Sequence, residues 1–175
     1  MQTTCCFIGH RKIKKTPELI ERLDDTIGQL IAGGVRIFYF GGKGEFDSLA
    51  RERVTLAKAI TPDIKRVLIR AAEPEISDSY RDYLLRSYDE TFFPEKLKKA
   101  GRAVYVERNF LMIGKSDVCV FFFDEDYTPE TKVLQTVGHI KKLSSSRSGT
   151  GLAFCEAVKR EKSIINLAAG RSDIC

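Results

Sequence analysis

The sequence predicts an α/β fold of three layers, with helices on both faces of a mainly parallel central sheet. Three observations carry this. Short apolar runs alternate with segments of helical periodicity along the whole chain. The apolar runs lack the in-out alternation of a half-exposed sheet, so their strands are buried on both faces. No linker, internal repeat or low-complexity tract divides the 175 residues, a length that suits one domain spanning 1–175. Right-handed crossovers then make the arrangement Rossmann-like.

The elements follow in order. "TTCCFIG" is the first strand. Thr16 is placed to cap a helix that opens with Pro17, and Leu19, Ile20, Leu23, Ile27, Leu30 and Ile31 recur at helical spacing until Gly33-Gly34. "VRIFYF" is the second strand, stopped by Gly41-Gly42. A helix over about 46–60 turns Leu49, Ala50, Val54, Ala57 and Ile60 inward, with Asp47 as its N-cap and Phe46 in the core. "IKRVLIRA" is the third strand. Residues 72–101 are irregular, and a short strand is expected at "AVYV". "ERNFLMIGKSD" reads as a short helix, "VCVFFF" as the most apolar strand, "SGTGLAFCEAVKREK" as a glycine-led helix and "SIINLA" as the last strand. Residues 124–148 are long for a connection and read as an insertion or a lid.

Composition narrows the function classes. The chain is 43% hydrophobic and 30% charged, as in ordinary soluble domains. Its net charge of +5 suits an anionic ligand but is too small, and too scattered, for a nucleic-acid surface. No signal peptide or membrane-length apolar run occurs, so a cytoplasmic location is expected, with no membrane partner. Cys5 and Cys6 are neighbours on a strand and must face opposite ways. Cys119 belongs to a core strand and Cys155 to a helix. The five cysteines and two histidines show no metal-ligand spacing, so reduced thiols are expected, with no metal and no cofactor.

In a parallel sheet, ligands bind beyond the carboxyl ends of the strands. That rule gathers three loops. Gly9, His10 and Arg11 follow the first strand. Gly41, Gly42, Lys43 and Gly44 follow the second. Ser148, Gly149 and Thr150 open the late helix. Glycine permits close backbone approach, and helix-start N–H groups favour a phosphate or carboxylate. The pattern is neither a Walker loop nor GxGxxG. Arg11 and Arg108 supply guanidinium forks that match such an anion. His10 either donates to a ligand or closes the strand end. A second role for Asp47 is to bind a ribose hydroxyl.

"CCFIGHR", "FYFGGKGEFD", "YDETFFPE", "RNFLMIGKSDVCVFFF" and "SGTGLAFCEAVKREKSIINL" together resemble the SLOG superfamily, which includes DNA-processing protein A and the "lonely guy" enzymes. The bacterial stand-alone branch is the nearest in pattern, and the likeness runs over nearly the whole chain. The resemblance implies a Rossmann-like fold binding a nucleotide or nucleotide-derived ligand through Gly9, Arg11, Gly41, Gly42, Arg108, Asn109, Gly149 and Thr150. A homodimer formed through helices flanking the site is implied as well. The "lonely guy" branch hydrolyses nucleoside 5'-monophosphates to a free base and ribose 5-phosphate, using an RKxxM arginine and a glutamate in PGGxGTxxE. Arg108 in "RNFLM" matches the first. Ala153 stands where the glutamate would be, Glu156 lies a turn further on, and the Asp common in the stand-alone branch is here Gly114. A non-catalytic sensor or carrier is therefore the favoured reading. The alternative is an N-glycosidase using another carboxylate: Glu45, Asp89 or Glu90.

Overall fold

A computed structural model of the chain describes residues 3–124 and 148–168. Among these residues six strands form one sheet: β1 (Thr3–Gly9), β2 (Val35–Phe40), β3 (Lys65–Ile69), β4 (Glu90–Phe92), β5 (Val118–Phe122) and β6 (Ser163–Asn166). Their order is β4-β3-β2-β1-β5-β6, and every pairing is parallel. The chain steps outward from β1 to β4, then returns to the other side of β1 with β5. The order thus reverses between β1 and β5, the position at which α/β sheets open a crevice.

Helices α1 (Pro17–Ala32) and α2 (Glu45–Ile60) cover one face, while α4 (Val104–Lys115) and α5 (Gly149–Lys159) cover the other. A shorter α3 (Asp78–Leu85) lies between β3 and β4 in the chain. On the first face Phe7 stacks with Phe38 and Phe40, and Phe46 of α2 closes the group edge-on. Each ring, fully buried, adds about 1.5–3 kcal/mol of hydrophobic stabilisation. On the second face Met112, Ile113, Ala153, Phe154 and Ala157 pack over Ile8, Cys119 and Phe121. The strand pleat sends Cys5 into the first core and Cys6 into the second.

Capping follows the sequence at α1, where the Thr16 hydroxyl accepts from the Leu19 N–H at 3.2 Å and Pro17 opens the helix. Four expectations are corrected. "AVYV" is not a strand: 3-10 turns at 95–99 and 101–103 lead directly into α4, and helical packing overrides the β-branched valines. The fourth strand is instead "ETF", a three-residue segment that pairs with β3 at the sheet edge. Ile60 ends α2 at 86% exposure, beyond the reach of the core. Asp47 is not the cap of α2; Gly44 is, with φ 95°. Residues 125–147, and so nearly all of the expected insertion or lid, lie outside the described residues. No described helix is long and apolar enough to cross a membrane.

Candidate functional site

The carboxyl edge of β1 and β2 is built around the backbone of Gly41 and Gly42. Asp47, one turn into α2, reaches back to this loop. Its Oδ1 accepts from the Gly41 N–H at 2.7 Å and its Oδ2 from the Gly42 N–H at 3.0 Å. From the opposite face of the sheet, Arg108 of α4 donates through Nη1 to the Gly41 carbonyl. A Cβ at position 41 would stand under 3.0 Å from the Arg108 guanidinium, so only glycine lets the arginine lie there. The loop is thus held between a carboxylate on one helix and a guanidinium on another.

Both charges are buried, at 6% exposure each. Burial pushes the Asp47 carboxyl up to about 6, against the pull of the two glycine N–H groups and of Arg108. Burial lowers Arg108, opposed chiefly by Asp47. Asn109 completes the arrangement: its Oδ1 accepts from Arg108 Nη2 at 3.0 Å. Tyr88, buried beside Phe40, is raised by burial and by the Asp47 charge.

Arg11 enters from the β1 loop. Its guanidinium lies 5.9 Å from the Tyr105 ring centre, and that of Arg108 lies 5.7 Å from the same ring. Such distances allow cation–π attraction to hold both arginines at one aromatic ring. The positive charge of Arg11 acts unfavourably on Arg108. The two loops are stitched together: Glu45 N–H donates to the Arg11 carbonyl at 2.8 Å, and Glu45 Oε2 accepts from the Ile13 N–H at 2.8 Å. Lys43 is exposed on the glycine loop. Gly44, its φ unsuited to a side chain, seats the loop against the Arg11 backbone.

His10 is buried at 2% exposure, and its Nε2 lies 3.0 Å from the Asp124 N–H and 3.1 Å from the Asp124 carbonyl. Burial holds the imidazole below its ordinary value, which suits a neutral ring accepting from that N–H. The ring therefore ties the ends of β1 and β5 together at the crevice. Gly9 lies directly under Phe46. In the third loop the Ser148 hydroxyl caps α5, accepting from the Gly151 N–H at 3.1 Å. Thr150 is buried, while no other described residue comes within 4 Å of where a Gly149 side chain would begin. This turn meets the β1 loop through Phe123, which touches the Gly151 position and lies 6.0 Å from the His10 ring.

The three expected loops therefore share one edge of the sheet. Two carboxylates proposed for catalysis do not. Asp89 binds Arg66 through both oxygens at 3.1 Å, and Glu90 pairs with Lys65 at 2.7 Å. Lys65 and Arg66 begin β3, so both pairs sit at the amino end of the strands, opposite the site. Sequence reasoning missed Tyr105 as the meeting point of the arginines. Its signal was the i, i+3 spacing to Arg108, legible only once α4 is extended back to 104. Among the described residues, no group of three His, Cys, Asp or Glu side chains gathers as a metal site requires.

Beside the glycine loop, on the β3 side, lies a cleft of about 190 Å³. Lys43, Leu68, Arg70, Glu73, Leu84 and Tyr88 are among its walls.

Neither a protein-family model nor a curated protein matches the sequence. Solved structures do match. The structural-genomics protein TM1055 superposes with a TM-score of 0.54 at 14% identity, over 93% of this chain and 72% of its own. The single-stranded-DNA-binding DNA processing protein A from Helicobacter pylori gives 0.54 at 16% identity, over 93% of this chain and 63% of its own. The molybdenum cofactor carrier protein of Chlamydomonas reinhardtii gives 0.53 at 14% identity, over 94% and 75%. At such identities the likeness establishes architecture rather than activity. The chain shares the Rossmann-like fold of these proteins.

Proposed function

We propose that the protein binds a nucleotide or nucleotide-derived anion at the carboxyl edge of β1 and β2, as a sensor or carrier rather than as a catalyst. The observation that carries the reading is the charge arrangement around Tyr105. Arg11, Lys43 and Arg108 stand at one edge, and the two carboxylates among them are already engaged: Asp47 by the Gly41 and Gly42 N–H groups, Glu45 by that of Ile13. The positive charge there exceeds what the protein itself neutralises, which is the electrostatic basis of anion capture. Arg108 and Asp47 set the shape of the loop. Arg11 and Lys43, both exposed, are the groups that meet the ligand. The N-glycosidase reading has less support, because Asp89 and Glu90 stand at the opposite edge and Ala153 replaces the expected glutamate. A molybdenum cofactor carrier with the same fold agrees with a binding role.

The test is a thermal-shift screen against nucleoside mono-, di- and triphosphates, NAD, ADP-ribose, cyclic nucleotides and a single-stranded oligonucleotide. One small-molecule class is expected to raise Tm, since a ligand bound only to the folded state stabilises it. Arg11→Ala should weaken that binding about tenfold, as loss of one charge-assisted contact does, while leaving the ligand-free Tm unchanged. Stabilisation by the oligonucleotide alone, or release of free base from a bound nucleotide, would replace this reading.

A further inference from the structure

We propose that the cleft beyond β3 is a second binding site, for a small ligand that presents a carboxylate or phosphate on a compact apolar body. The carrying observation is Arg70. Its Nη1 donates to the carbonyl of Glu73, which anchors the guanidinium plane. Its Nε is buried and has no hydrogen-bond partner among the described residues. Buried donors in folded proteins are almost always paired, and this unpaired one belongs to a residue that lines the cleft, which points to an absent acceptor beside it. The Nε and Nη2 edge of a guanidinium is a fork that receives two oxygens of one oxyanion.

The surroundings agree. Lys43 brings a second cation to the cleft, and Tyr80 of α3 borders it. Arg81 on the same helix adds to the positive charge acting on Arg70, and Glu73 opposes it. Leu68, Ala71, Leu84 and Tyr88 form the apolar wall. At about 190 Å³ the cleft falls below the roughly 300 Å³ at which pockets for drug-sized ligands begin. It suits a single ring or a short branched chain. Gly41, Gly42 and Lys43 line it while Arg11, Tyr105 and Arg108 do not, so the cleft adjoins the site around Tyr105 and shares Lys43 with it, whereas Arg70, on which this proposal turns, belongs to the cleft alone.

The experiment is ¹H–¹⁵N NMR of the full chain, titrated with sodium benzoate and with sodium phosphate at constant ionic strength. Saturable shifts are expected at the Arg70 Nε–H and at the amides of Lys43, Ala71, Ala72 and Glu73. Preference between the probes tells a carboxylate site from a phosphate site. Arg70→Lys keeps the charge but removes the fork, and should weaken binding about tenfold or more. Arg11→Ala should leave it unchanged. Shifts that rise linearly without saturating would overturn the proposal. So would saturable shifts centred on Arg11 and Tyr105 and lost in Arg11→Ala. Should Arg70→Lys fail to fold, the wild-type shift map decides by itself.

Discussion

Two glycine-rich turns in this chain look alike on paper and are built differently. "FGGKG" leaves β2 for α2, and "SGTG" leads into α5. In the first, the amides of Gly41 and Gly42 are held by Asp47 and the Gly41 carbonyl by Arg108, so the turn is filled by the protein's own charges. In the second, the Ser148 hydroxyl takes the Gly151 amide, and no atom of the described residues stands where a side chain on Gly149 would begin. A glycine can thus be required by a neighbour or merely tolerated at a helix start. Only the neighbour's position tells which.

The comparison can be broken most sharply by giving each turn a methyl group. Gly41→Ala places a Cβ against the buried Arg108 guanidinium and should cost about 3–5 kcal/mol, by overpacking and by unseating a buried charge. Gly149→Ala should fall within about 0.5 kcal/mol of wild type. Urea unfolding of both variants checks the contrast, and equal losses would refute it.

Protonation sharpens the picture of the first turn. Unfolded, Asp47 has the ordinary carboxylate value of 3.8; folded, burial raises it to about 6. Between these values the folded state binds more protons, so the Asp47 contribution to stability is complete below about pH 4 and is lost as pH rises through 6. The loss amounts to about 3 kcal/mol. Other carboxylates run the opposite way, among them Asp89, which Arg66 pulls down against its burial. The stability difference between wild type and Asp47→Asn isolates the effect, and should fall by that amount from pH 4 to 7. A flat difference would mean that the carboxyl does not titrate there.

The smallest expected change belongs to the second turn. Ser148→Ala removes the cap of α5 and should cost about 1 kcal/mol, as Thr16→Ala should at α1. A much larger loss at Ser148 would show that this turn, too, carries more than its own helix.

The layers and most strands were legible because their signals are local: doubly buried strands are apolar throughout, and Thr16-Pro17 states a helix start in two letters. "ETF" was hidden because three residues at a sheet edge, only Phe92 among them apolar, are too few to show a period. "AVYV" misled because its valines favour strands and only tertiary packing makes them helical. At the site, the three loops followed from topology alone. What Asp47 does there was not legible, because its partners are backbone amides and an arginine 61 positions away, and no spacing rule links them. Arg70 was hidden for a similar reason: an unpaired donor is a property of its surroundings.

The adjacent cysteines of β1 have a practical consequence. Cys5 and Cys6 are both fully buried, and burial keeps both thiols protonated well above the ordinary range. Thiol reagents react with the exposed thiolate, so neither sulfur can be labelled until its layer opens. One sulfur lies beneath α1 and α2, the other beneath α4 and α5. The chain therefore carries two built-in clocks, one peptide bond apart, and their labelling rates time the opening of each layer separately.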